Sequence, residues 1–73
     1  MPQLMTLDRE CAICPNAHGQ FEYSERVDDR GGCHYYTVYI FDTVEEAKMF
    51  ASLRKDYPLE WKRVHVDYFG RPI

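Results

Sequence analysis

The chain lacks most of the features that announce a function. Its 73 residues hold only three cysteines, an odd number that fits poorly with a secreted disulfide framework. No apolar run approaches the roughly 20 residues of a membrane span. The opening "MPQLMTLDRE" has neither the basic flank nor the apolar stretch of a secretory signal. A cytoplasmic location with reduced thiols is the expectation. There is no basic excess either: nine Lys and Arg stand against 12 Asp and Glu, a net charge of −3. Nucleic-acid binders usually carry a positive surplus, because phosphate neutralisation supplies much of their affinity. Direct nucleic-acid binding is therefore not expected, and mild acidity suits a protein partner with a basic surface. Repeats and low-complexity segments are missing. Catalytic motifs are missing too: Cys33, His34 and Asp67 can be assembled on paper, but neighbours on a strand face apart. A non-enzymatic protein is expected.

What the chain does have is rings. Aromatics make up 15%, with six Tyr, four Phe and one Trp. A domain this small buries only about 60% of its unfolded surface, so large side chains help its core reach sufficiency. Apolar residues at 45% and charged residues at 29% are ordinary globular values.

One domain, 1–73, is expected. Residues 1–19 form an N-terminal arm and a Cys/His loop; "QLMTL" in the arm reads equally as strand, helical turn or arm. Residues 20–42 read as an antiparallel hairpin. "QFEYSERV" alternates Phe21, Tyr23 and Val27 with polar residues, Glu25 breaking the apolar side. "DDRGG" is a turn. "CHYYTVYIFD" is rich in strand-preferring types. Thr43 and Glu46 make a capping box, opening a helix over 43–57 with the apolar set Val44, Ala47, Phe50, Ala51, Leu53 and Tyr57. Pro58 stops it. Residues 60–69 are a last strand, with Val64, Val66 and Tyr68 on one face and Arg63, His65 and Asp67 on the other as a cross-strand charge network. The fold class is α+β: a two-layer sandwich of β-β-α-β order, with one further strand allowed at the front. A right-handed crossover sets the last strand parallel to the second hairpin strand, or beside the first.

Three features are candidates for function. The stretch "CAICPNAHG" joins Cys11 and Cys14 to His18, and with Cys33 these form a candidate structural zinc site, since a two-residue gap lets both thiolates of a turn reach one ion. The alternatives are small buried hydrophobes or, less well placed, a redox pair. Second, Tyr35 and Tyr39, with Thr37 and Phe41, are expected on the sheet face away from the helix, joined by Arg63 and His65. That face suits a protein interface, a second subunit forming a homodimer, or cover by the N-terminal segment, and suits stacked bases less well. Third, Glu22, Glu25, Asp28 and Asp29 crowd the first hairpin. They are either a solvated turn or an acidic protrusion that occupies a basic groove on a partner.

The layout "YYTVYIFDTVEEAKMFASLRKDYP…WKRVHVDYF" resembles the small α+β proteins encoded by phages and mobile elements, anti-CRISPR inhibitors among them. The resemblance covers residues 20–69 and is one of architecture. It implies a stoichiometric inhibitor that binds a host nucleic-acid-handling complex. The second expectation is a small zinc-stabilised adaptor or regulator contacting nucleic acid.

Overall fold

Alternation of polar and apolar residues makes strands wherever one face can be buried, and here it does so five times. The computed structural model describes residues 2–65; Asp67 and the far end of the expected last strand lie outside them. The strands are β1 (Pro2–Thr6), β2 (Cys11–Pro15), β3 (Phe21–Asp29), β4 (Gly32–Phe41) and β5 (Trp61–His65), with one helix, α1 (Val44–Lys55), between β4 and β5. They form a single antiparallel sheet in the order β4-β3-β2-β1-β5. The α+β class holds, and so does the β3–β4 hairpin.

Two expectations about the sheet are corrected. The segment read as a Cys/His loop begins as β2, which pairs Cys11 with Glu25 and Ile13 with Tyr23. The N-terminal stretch, open between strand, helical turn and arm, is the allowed front strand: β1, interior between β2 and β5. The last strand is not adjacent to either hairpin strand. Pairing alternates through the sheet, so β5 runs in the same direction as β4 but on the opposite edge, beside β1. Two short strands at the front fill the space the crossover would otherwise have closed.

The helix starts where Thr43 accepts the Glu46 backbone N–H at 3.2 Å, as a cap should. Glu45 and Glu46 sit at its positive end, and Arg54 and Lys55 at its negative end. It stops at Asp56, a left-handed residue at φ 57 whose N–H returns to the Ser52 carbonyl. Its buried stripe is narrow, centred on Ala47 and Ala51. Two alanines let the backbone sit close on β2, β3 and β4, over a core of Cys11, Ile13 and Tyr23. Phe50 sits beside them, edge-on to Tyr23 at 5.4 Å and against Phe41 at 5.2 Å. Leu53 and Tyr57, expected in the core, are exposed instead: Leu53 falls outside the narrow stripe, and Tyr57 lies past the helix end, which comes at Lys55 rather than at 57.

Replacing Thr43 by Ala removes the one side-chain acceptor at the helix start. Urea denaturation is expected to show a loss of about 1 kcal/mol with an unchanged m-value.

Candidate interaction surface

The strongest electrostatic feature is internal. Glu25 lies on the apolar side of β3, in phase with Phe21 and Tyr23, and is only 6% exposed. A buried carboxylate is costly unless every lone pair is matched. Here Arg54 grips it with two N–H donors, Nε at 2.7 Å and Nη2 at 2.8 Å. The Tyr23 hydroxyl donates to it at 2.8 Å, and the Tyr36 hydroxyl at 3.4 Å. Because Tyr23 spends its only proton on Glu25, the Cys11 thiol donates to the Tyr23 oxygen, 3.2 Å away. The chain Cys11–Tyr23–Glu25–Arg54 thus ties β2, β3 and α1 together. The bonded Arg54 guanidinium holds the Glu25 carboxyl down to about 2, against an ordinary 4.5. Burial pushes the Tyr23 hydroxyl and the Cys11 thiol up. Glu25, read from the sequence as part of an acidic protrusion, therefore belongs to the core.

The other three acidic residues are at or near the surface. Beyond Arg26 the hairpin leaves the rest of the sheet, and Val27, Asp28 and Asp29 pair only with His34, Cys33 and Gly32. This two-stranded tip is exposed along its length. Gly32 takes φ 108, a value L side chains rarely adopt, and Asp29 accepts the Gly31 N–H at 2.8 Å. Asp28 is 3.0 Å from Arg26 and Asp29 is 3.2 Å from His34. Surface pairs of this sort contribute little, so both carboxylates stay accessible. Glu22 lies lower on β3, where it accepts from Thr37 at 3.2 Å.

The expected tyrosine face is divided by a bulge. Tyr23 pairs with Tyr39 but Ser24 pairs with Thr37, so Val38 is an extra residue in β4. One inserted residue reverses every side chain past it. Tyr35 and Thr37 do lie on the face away from the helix. Tyr39 and Phe41, expected beside them, lie on the helix side, their rings 6.1 Å and 5.2 Å from Phe50. Tyr35 crosses the rear of the sheet: its hydroxyl donates to the Arg9 carbonyl at 2.6 Å and reaches Met5 Sδ at 3.9 Å. It closes part of the rear core, where Met5 and Ala12 are buried.

The four candidate metal ligands are not brought together. Cys11 and Cys14 are three residues apart on one strand, so they face opposite sides of the sheet. Cys11 is buried under the helix; Cys14 is half-buried, and burial raises its pKa. His18 is exposed in the β2–β3 loop, and Cys33 is exposed on the tip. Among the described residues, no group of three or more His, Cys, Asp or Glu is placed to hold a metal ion.

Arg63 is corrected too. It pairs with Leu4, which packs against the core, and Trp61 packs there as well, so Arg63 faces the helix side rather than the rear. It borders a groove of about 480 Å³ between α1 and β1, whose floor is Leu4, Ile13 and Phe21 and whose rim includes Glu45 and Lys48. His65 pairs with Pro2 at the end of β5. Among the described residues, no helix is long and apolar enough to cross a membrane. The chain matches no protein-family profile, no curated protein and no solved structure.

The shift at Glu25 fixes a pH dependence. Its folded pKa lies below its unfolded one, so its contribution is complete above about 4.5 and is lost as pH falls towards 2. With Arg54 partly in solvent, the contribution is about 2 kcal/mol at neutral pH. Denaturation of Glu25→Gln should show that loss at pH 7, and the two proteins should converge in stability as pH approaches 2.

Proposed function

We propose that this chain is a non-enzymatic protein-binding module, an inhibitor of the kind phages encode, that engages a host nucleic-acid-handling complex. The observation that carries the reading is the free-standing tip of the β3–β4 hairpin, with Asp28 and Asp29 accessible where the ribbon leaves the sheet. A ribbon two strands wide enters grooves that a flat sheet face cannot. Its carboxylates suit a basic groove that otherwise holds phosphate, through the same charge complementarity. The net charge of −3 favours encounter with such a surface. Glu22 lies at the opposite end of β3, six residues or about 20 Å from Asp28, and stands outside the contact. Glu25 has no part in it, being held by Arg54.

Reversing the tip charge tests the reading. Immobilised protein should capture nucleic-acid-binding proteins from a bacterial lysate, and added DNA should compete with them. The double variant Asp28→Lys, Asp29→Lys, with an unchanged fold by circular dichroism, should lose at least tenfold in capture. Undiminished capture by the variant would remove the tip from the interface.

A further inference from the structure

The outermost strand of the sheet, β4, is ten residues long and has no neighbour on its outer side among the described residues. Such an edge presents a row of unpaired backbone N–H and C=O groups, ready to template another strand. Edge strands are usually blunted by Lys, by Pro or by inward-pointing charge. Gly32–Phe41 reads "GCHYYTVYIF": it has no proline, and His34 is its one titratable nitrogen. The bulge at Val38 twists the far end but leaves Gly32–Thr37 regular against β3. On the helix side, apolar surface flanks this edge: Tyr36 is 48% exposed, Tyr39 60% and Leu53 79%. At 3.6 residues per turn Leu53 lies on the side of α1 that carries Phe50, whose ring meets Tyr39 and Phe41 of β4.

We infer that β4 pairs antiparallel with β4 of a second copy, in the stretch Cys33–Thr37, to make a symmetric dimer with one continuous ten-stranded sheet. Three points favour a second copy as the occupant. Antiparallel self-pairing lays each charged tip beside the uncharged half of the partner's β4, so the two sets of carboxylates lie at opposite ends and do not meet. The dyad of such a pairing is perpendicular to the sheet, so both helices lie on the same face. With α1 over β3 and strands about 4.8 Å apart, the two helices are roughly 14 Å apart across the dyad. Direct helix packing needs about 8–10 Å. Tyrosine rings standing on the sheet between them fill that interval, and Tyr36 is placed to do so from each side. The area suits a weak, reversible contact. At about 200 Å² per full side chain, these three apolar residues expose roughly 370 Å² per chain, before the strand backbone is added, against about 800 Å² from each partner in a standard interface. In the dimer Asp28 and Asp29 stand on β3, one strand in from the seam, so their carboxylates are not part of the new pairing.

Sedimentation equilibrium of the whole chain tests this, in reductant so that exposed Cys33 cannot cross-link copies. The expected result is a reversible doubling of the 8.7 kDa mass with a micromolar Kd. The variant Leu53→Lys should weaken that Kd at least tenfold. The position is 79% exposed, so the fold should survive, as circular dichroism will check. In parallel, hydrogen exchange should protect the amides of 33–37 more as protein concentration rises. A mass of one chain up to about 500 μM overturns the inference. So does a dimer that ignores the helix variant and leaves 33–37 unprotected. The tip variant Asp28→Lys, Asp29→Lys should dimerise as the parent does, so loss of partner capture and loss of dimerisation remain separate results.

Discussion

A single buried carboxylate organises this small domain. Glu25 sits where the alternation of β3 calls for an apolar residue, and it meets donors from its own strand, from β4 and from the helix end. The arrangement fixes how α1 lies on the sheet. Arg54 must reach Glu25 while Ala47 and Ala51 rest on the strands, and those conditions are met together only when the helix runs over β3. The apolar contact, two alanines with Phe50 beside them, carries no directional bond of its own. Buried ion pairs add little net stability compared with hydrophobic substitutes. What this one supplies is a specified orientation for the helix.

That orientation has consequences at the surface. With α1 held over β3, Met49 and Leu53 are left exposed on its outer side, and the half-buried Phe50 meets Tyr39 and Phe41 on the strand. Groups that would stabilise a larger core are displayed here instead, on a domain whose size limits what it can bury. The ribbon beyond Arg26 gains nothing from the helix and has only its own pairing and turn to hold it. Stability and display are therefore divided between two ends of one hairpin: the lower half of β3 and β4 builds the core, and the upper half projects from it.

How far the sequence foretold this depends on the kind of signal. The β3–β4 hairpin and the helix were legible because local chemistry alone specifies them: a glycine turn, a capping threonine, Pro58 at the stop. β2 was not, because two cysteines with a proline suggested a metal loop and masked a five-residue strand paired with β1 and β3. The bulge at Val38 carries no glycine or other marker, and it alone moved Tyr39 and Phe41 to the helix side. Nor was β5 placed correctly, since its neighbour depends on strands some sixty residues earlier in the chain. Glu25 did leave a trace. It fell in phase with Phe21 and Tyr23, and a charge on an apolar face asks for a buried counter-charge. Arg54 near the helix end was the residue to pair with it.

The claim that Glu25 is an ionised core residue clamped by Arg54 is open to one direct measurement. A carbon-detected NMR titration of the Glu25 side-chain carboxyl in the intact chain reads its pKa without reference to stability. A midpoint near 2, well below the ordinary value of 4.5, is the predicted result. A midpoint at the ordinary value near 4.5 would mean that the carboxylate lies in water and that the helix is positioned by something else.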